Sequence, residues 1–193
     1  FFLYGFIKHC SANKLADEPE LSINAYLKFN FFLKIFSNLL KVDLFNIIKS
    51  IKVRPTHSNM MNPGLGVGGY CLTKDPLFAD ISRRLFFPKK VSFPIIEKSI
   101  SINKKMPLFA LSFIKENFKL NKRSKILILG LSYKEDIGDL RYSPSITLFK
   151  SLLKLNKNIK ISDPLCKFNI LKYDNFEIKD NLKKFDLILL CVK

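Results

Sequence analysis

The sequence predicts an α/β protein that consists of a helical domain followed by an α/β domain with a parallel sheet. Two observations carry this prediction. Apolar residues recur at helical spacing through much of the first half of the chain, and from residue 125 onward short β-rich runs alternate with a helical segment. We expect a helical domain over residues 1–107, a connecting helix or linker over 108–122 and an α/β domain over 123–193.

The first domain is expected to be built from two long helical stretches. Apolar residues recur at roughly helical spacing from Glu20 to Ile51, with a break expected near Asp43. Residues 94–118 regain this period and predict a long helix that breaks before Pro107. Between the two stretches, glycines cluster in a predicted loop that leads to Cys71.

The second domain begins with KILILG (125–130), a short β-rich run that ends in glycine. An amphipathic helix follows over 143–156, with Ser143 or Asp139 as its N-cap and Pro144 early in its first turn. IKISDP (159–164) and FDLILLCV (185–192) then predict two further strands. This order is typical of a parallel sheet with right-handed crossovers, and we expect the domain to be truncated at its C-terminus.

The formal net charge of +17 would attract anionic partners, and nucleic acid is one candidate. However, only five of the 33 basic residues are arginine, and the lysines are scattered among Ile, Asn and Phe along the whole chain. This pattern favours a compositional bias over a basic face built for nucleic acid. We therefore expect no nucleic-acid partner.

We also expect no metal site, membrane segment or targeting signal. The four cysteines lie far apart without a CxxC pair, and there are two histidines, so neither a zinc site nor a disulfide framework is indicated. The apolar run over 29–36 is interrupted by Lys34 and is too short to span a bilayer. These features favour a protein of the reducing cytoplasm.

The string NPGLGVGGYCLTKDP (62–76) carries the strongest chemical signal. Gly68 and Gly69 could let a substrate approach the backbone, while Lys74 and Asp75 place a cation and a carboxylate within a turn of the sulfur of Cys71. A nearby cation favours the thiolate, and a nearby carboxylate can activate water. The alternative is a tight loop whose cysteine is a small buried apolar residue.

Two separate strings resemble motifs of the UDP-glucose/GDP-mannose dehydrogenase superfamily. The first is the loop above, which matches the family pattern PGxGxGGxCxxKD, and the second is GLSYKEDIGDLRYSP (130–144), which is similar to GxxYKxDxxDxRxSP. INKKM (102–106) and SDP (162–164) also resemble family segments. The resemblance implies a helical central, dimerising domain and a Rossmann-like, UDP-sugar-binding α/β domain.

The resemblance further implies oxidation of a sugar C6 alcohol to a carboxylate, with two hydride transfers to NAD. It places Cys71 as the covalent nucleophile, Asp75 beside the water, and Lys74 at the cofactor or the developing negative charge. Arg141 would reach toward the cofactor phosphates, for which a forked guanidinium is suited. The substrate-binding residues implied are those of the glycine loop and of the second motif: Gly66, Gly68, Gly69, Tyr133 and Lys134.

The helical block resembles the family's dimerisation helix and implies a homodimer. In NAYLKFN, Asn24 corresponds to the family's substrate-binding asparagine, and Asn30 corresponds to the catalytic residue that polarises the oxyanion. Asn30 and the GVGGYC loop favour the branch that oxidises UDP-N-acetylhexosamines, but UDP-glucose and GDP-mannose enzymes share the scaffold, so the identity of the sugar stays open. A mid-helix asparagine often only contacts solvent, so the alternative that Asn24 and Asn30 have no functional role stays open.

The sequence has no GxGxxG turn between a strand and a helix, the fingerprint of an NAD-binding Rossmann domain. We therefore expect a fragment or a degenerate relative that does not reduce NAD alone. Three functional hypotheses remain: part of a UDP-sugar dehydrogenase for polysaccharide precursors, a non-catalytic dimerisation and nucleotide-binding module, and a basic nucleic-acid binder.

Overall fold

The computed structural model describes residues 37, 39–60, 62, 64–87, 92–166, 176–178 and 182–192. The helices are α1 (Leu44–Ile51), α2 (Cys71–Lys74), α3 (Pro76–Phe86), α4 (Pro94–Asn117) and α5 (Pro144–Leu153). The strands are β1 (Ile126–Leu129), β2 (Ile159–Ser162) and β3 (Leu187–Leu190). Short 3₁₀ turns cover Pro55–His57 and Leu182–Lys184. The α/β class is confirmed, with helices first and a parallel sheet after them.

Helix α1 begins where the sequence predicted a break. Asp43 is its N-cap, and its Oδ1 accepts a hydrogen bond from the backbone N–H of Phe45 at 2.9 Å. Leu44 and Ile48 are buried and cluster with Met60. The part of the predicted helical block before residue 37, which includes Asn24 and Asn30, lies outside the described residues.

Helix α4 runs unbroken through Pro107, so the predicted break before this residue is wrong. A proline inside a helix removes one hydrogen bond and costs about 3 kcal/mol. Here the cost is offset because the inner face of the helix is buried on both sides of the proline, at Met106, Ala110 and Ile114. The domain boundaries at 107 and 123 stay predictions.

The three strands form a parallel sheet, as the sequence predicted, and their order is β2-β1-β3. The central strand β1 is buried because β2 and β3 cover its two edges and residues of α4 and α5 pack against Ile126 and Ile128. Helix α5 packs against α4 and begins at Pro144. Ser143 is its N-cap, since the hydroxyl Oγ accepts the N–H of Ser145 at 3.1 Å.

The main hydrophobic core joins α4, the sheet and α5. Ala110 and Ile114 of α4 pack into it with the strand residues, and so does Leu65 from the glycine loop before Cys71. The connecting helix is therefore part of the same core as the sheet. Because Leu65 is only 7% exposed, that core also holds the glycine loop in place.

Asp163 fixes the path of the chain after β1. Its carboxylate accepts backbone hydrogen bonds from Leu131 at 2.8 Å, Ser132 at 3.0 Å and Leu165 at 3.1 Å. Burial alone would raise the pKa of Asp163, but these donors outweigh it and lower the pKa. The segment 130–143 is thereby held at the carboxyl end of the sheet, where parallel sheets bind ligands.

Candidate active site

Cys71 is the first residue of α2 and directly follows the glycine loop. Its side chain is exposed, whereas Cys166 is buried and Cys191 is half-buried. Burial raises the pKa of both other thiols to about 12. Among the described cysteines, Cys71 is therefore the accessible one; Cys10 lies outside the described residues.

The glycine loop can adopt its path only with glycine at several positions. Gly66 and Gly69 have φ of 140° and 80°, in the left-handed region that side chains disfavour. A Cβ atom on Gly68 would lie 2.6 Å from Cβ of Tyr133 and 2.9 Å from the carbonyl oxygen of Tyr142. The space beside Gly68, where the sequence predicted access for substrate, is thus filled by the second motif. Substrate binding by these glycines stays a prediction.

The two motifs meet in the structure although α4 and β1 separate them in the sequence. The N–H of Gly69 donates to the carbonyl oxygen of Arg141 at 3.0 Å. The rings of Tyr70 and Tyr142 form an edge-to-face pair with centroids 5.5 Å apart. The structure therefore brings the predicted residues Tyr133 and Arg141 to the loop that leads into Cys71.

Lys74 and Asp75 form an ion pair next to Cys71, with Nζ 2.5 Å from Oδ1. The ammonium also lies over two aromatic rings, 5.1 Å from the centroid of Tyr70 and 4.8 Å from that of Phe78. The hydrogen bond to Asp75 raises the pKa of Lys74. Lys74 is therefore a fixed positive charge at neutral pH, one turn of helix from the sulfur.

Arg141 is held in place by Asp139. The guanidinium nitrogens Nε and Nη2 donate to the carboxylate oxygen Oδ2 at 2.9 and 2.6 Å. The hydrogen bond from Arg141 lowers the pKa of Asp139, so the pair is charged at neutral pH. Arg141 is 64% exposed and its guanidinium carbon lies 5.6 Å from the Tyr70 ring centroid. This arrangement presents an oriented cation beside the glycine loop.

Asn103 of α4 is a site residue to which the sequence analysis gave no role. Its side-chain Oδ1 accepts the N–H of Val67, and its Nδ2 donates to the carbonyl oxygen of Val67, both at 2.8 Å. The resemblance of INKKM to a family segment was the one sequence signal at this position. Nothing in the spacing indicated a contact with a loop 36 residues away.

The structure gives little information on several of the predicted residues. Lys134 is half-buried beside Tyr133 in the second motif, while Asn24 and Asn30 lie outside the described residues. The described residues contain no group of three or more His, Cys, Asp or Glu side chains that could hold a metal ion. In the part of the chain that the structure describes, each helix is too short or too polar to cross a membrane.

Two family models match the chain in the expected order. Residues 23–105 match the central domain of the UDP-glucose/GDP-mannose dehydrogenase family, and residues 127–193 match its UDP binding domain. Among curated proteins, UDP-N-acetyl-D-mannosamine dehydrogenase of Campylobacter jejuni is 30% identical over 175 residues, covering 88% of this chain. The enzyme of the same name from Methanococcus vannielii is 30% identical over 178 residues, covering 91%.

The chain spans 40% and 39% of the length of these two relatives. Among solved structures, the UDP-N-acetyl-mannosamine dehydrogenase of Staphylococcus aureus is 26% identical, with a TM-score of 0.60 over 80% of this chain and 34% of its own. A UDP-glucose dehydrogenase from Pyrobaculum islandicum has the same fold, with a TM-score of 0.72 over 89% of this chain, 42% of its own and 21% identity.

Proposed function

The chain belongs to the UDP-glucose/GDP-mannose dehydrogenase family, and we propose that it supplies the catalytic cysteine and UDP-sugar site of an NAD-dependent nucleotide-sugar 6-dehydrogenase. One observation supports this most strongly. The exposed Cys71 follows a glycine loop that is bonded to the second motif through Gly69 and Arg141. A sugar nucleotide held at the carboxyl end of the sheet would thus lie near a reactive sulfur.

A UDP-N-acetylhexosamine is the substrate class that we propose. The match to the UDP binding domain supports a uridine nucleotide. Several of the similar curated proteins are named UDP-N-acetyl-D-mannosamine dehydrogenase, while another is named for N-acetyl-D-galactosaminuronic acid. These names support an N-acetylated sugar, and the corresponding uronate is a polysaccharide precursor.

In the proposed reaction the sulfur of Cys71 attacks the C6 carbonyl carbon of the intermediate aldehyde and forms a thiohemiacetal. Loss of a hydride from C6 and of the proton from its hydroxyl group, which passes to water, turns this adduct into a thioester. Water attacks the thioester carbon, the C–S bond breaks, the C6 carboxylate is released and Cys71 returns to the thiolate. NAD, when bound, supplies the hydride acceptor for both oxidations.

The neighbours of Cys71 would support these steps. Lys74 places a fixed positive charge near the oxyanion that develops on the sugar oxygen, and Asn30 would polarise the same oxygen. Asp75 would position water for thioester hydrolysis. Arg141, exposed and oriented by Asp139, is suited to a phosphate of the cofactor.

We further propose that the protein acts as a cytoplasmic homodimer through its helical domain. Asn24 would bind substrate there. The proposed assembly rests on the match of residues 23–105 to the family's central domain. Size measurement in solution, as a function of protein concentration, would test the dimer.

Titration calorimetry with UDP-N-acetylmannosamine, UDP and GDP-mannose tests the proposed function. The wild-type chain should bind the UDP compounds with a Kd in the micromolar to submillimolar range, roughly −5 to −8 kcal/mol, and GDP-mannose more weakly. Lys134→Ala should weaken UDP binding about tenfold because it removes a proposed contact to the sugar nucleotide. Lys150→Ala is the matched control, since it removes the same charge from the exposed face of α5.

Equal weakening by both variants would show non-specific attraction to a basic protein and would contradict a built UDP site. Absence of binding at millimolar UDP-sugar, together with salt-dependent binding of duplex DNA, would favour the nucleic-acid hypothesis instead.

A further inference from the structure

The side-chain amide of Asn103 forms a two-point contact with the backbone of Val67 in the glycine loop. Oδ1 accepts the N–H of Val67 and Nδ2 donates to its carbonyl oxygen, each at 2.8 Å. We infer that Asn103 is a positioning residue, which holds the glycine loop in the conformation that places Cys71 beside the substrate. The claim that this conformation places Cys71 beside the substrate rests on the proposed function.

An asparagine is chemically suited to this contact. Its amide presents one acceptor and two donors, so a single side chain can satisfy both polar groups of one residue's backbone. Loop backbone has no regular ladder of partners, and unpaired groups away from water are costly. Asn103 and Val67 are both half-buried, so water competes less for these two bonds than at an exposed position.

Asn103 lies on a rigid support. Helix α4 runs from Pro94 to Asn117, and Met106 and Ala110, just after Asn103, are buried. The acceptor atom Oδ1 would also lie 3.3 Å from a Cβ on Gly66, so the loop is closely packed against the amide. Asn103, which lies on the partly buried helix α4, therefore helps to fix the position of Val67.

The contact is transmitted to Cys71 over a short path. Two residues after Val67, the N–H of Gly69 donates to the carbonyl oxygen of Arg141 at 3.0 Å. The carbonyl oxygen of Gly69 in turn accepts the hydroxyl Oγ1 of Thr73 at 2.6 Å, which fastens the first turn of α2 to the loop. Without the Asn103 contact, the loop would keep the Arg141 bond and the buried side chain of Leu65 but lose its hydrogen bonds to α4.

Three variants test the inference. Asn103→Ala removes both bonds, and Asn103→Asp keeps the size and one acceptor but loses the Nδ2 donor. Asn117→Ala is the matched control, since this exposed amide lies on the same helix and donates to the carbonyl oxygen of Phe113. The measurements are hydrogen exchange of the peptide over 64–70, the Kd for UDP, and protection of Cys71 from iodoacetamide by saturating UDP-N-acetylmannosamine.

We expect Asn103→Ala to speed exchange of the loop amides about tenfold and to reduce the protection of Cys71 about fivefold, with the Kd for UDP within about twofold of wild type. Asn103→Asp should also speed exchange, because a carboxylate oxygen would replace the Nδ2 donor opposite the carbonyl oxygen of Val67. Asn117→Ala should change none of the three measurements.

Unchanged loop exchange in both Asn103 variants would overturn the inference. So would an equal loss of UDP affinity and of Cys71 protection, because that result would indicate a general loss of structure rather than positioning. If the wild-type chain bound no UDP-sugar, the proposed function would fail, and loop exchange alone would decide whether Asn103 anchors the loop.

Discussion

Lys74 is paired with Asp75 in the structure, whereas its sequence position suggested only a cation within a turn of Cys71. A lysine one turn from a cysteine could act as a free cation or as an acid. Its hydrogen bond to Asp75 raises its pKa, and the rings of Tyr70 and Phe78 lie next to its ammonium. Lys74 therefore keeps its proton at neutral pH, so we infer an electrostatic role rather than proton transfer.

Gly68 allows the glycine loop to pack against the second motif, so Gly68→Ala should destabilise the protein. The added Cβ would lie 2.6 Å from Cβ of Tyr133 and 2.9 Å from the carbonyl oxygen of Tyr142, so backbone must shift. We expect the free energy of unfolding to fall by about 1–3 kcal/mol, as for overpacking in a core. Urea denaturation measures this change.

Gly64→Ala is the matched control, because a Cβ at Gly64 has no heavy atom within 4 Å. Its free energy of unfolding should stay within about 0.5 kcal/mol of wild type. Equal stability of the two variants would show that the loop does not pack against Tyr133 in solution.

At the residue scale, sequence reasoning predicted candidate residues for the chemistry but not the contacts that hold them. Cys71, Lys74 and Asp75 are neighbours in sequence, so their proximity on one helical turn could be predicted. The contact between Asn103 and Val67 could not, because it depends on how α4 lies against the loop. The hydrogen-bonded ion pair between Arg141 and Asp139 could not be predicted either, because it depends on the local turn rather than on a repeating spacing.

Among the elements, the sheet and its loops depend on Asp163 at the end of β2. Its carboxylate is 3% exposed and accepts the N–H groups of Leu131 and Ser132, where the second motif leaves β1. These bonds hold the chain that carries Tyr133 and Arg141. The element that presents the second motif is therefore stabilised by a buried charge.

Asp163→Asn should weaken this anchor. Its amide NH₂ cannot accept hydrogen bonds, so at least one N–H loses its partner, and we expect the unfolding free energy at pH 7 to fall by about 1–3 kcal/mol. The folded-state pKa of Asp163 lies below its ordinary value, so its contribution is present above about pH 4 and is lost as pH falls through the folded-state pKa.

The unfolding free energy of Asp163→Asn should therefore fall less steeply than that of wild type below about pH 4. Urea denaturation from pH 3 to 7 measures both effects. Asp136→Asn controls for the charge change, since Asp136 is exposed and its positive φ of 57° suits asparagine equally. Parallel pH profiles for wild type and Asp163→Asn would contradict the role given to Asp163.

The strands and the α5 cap could be predicted because local signals agreed. β1 is a short apolar run that ends in glycine, and Ser143 followed by Pro144 is a strong helix start. The continuity of α4 through Pro107 could not be predicted. Local propensity favours a break there, and burial of both flanking turns in the tertiary structure overrides it.

At the scale of the whole molecule, one core connects the glycine loop with the α/β half of the chain. Leu65 of the loop and Ile114 of α4 belong to the same cluster as the strands of the sheet. The sequence predicted the two parts and their order, since each has its own motif. Their shared core was not predictable, because it depends on contacts between segments far apart in the chain.

The rate at which iodoacetamide alkylates Cys71, with and without saturating UDP-N-acetylmannosamine, tests the central claim most directly. Mass spectrometry separates the Cys71 peptide from those of Cys166 and Cys191, whose pKa values burial raises to about 12 and which should react slowly. We expect the sugar nucleotide to slow alkylation of Cys71 about tenfold or more, and UDP alone to slow it less. An unchanged rate at Cys71, with the sugar nucleotide bound, would contradict the account.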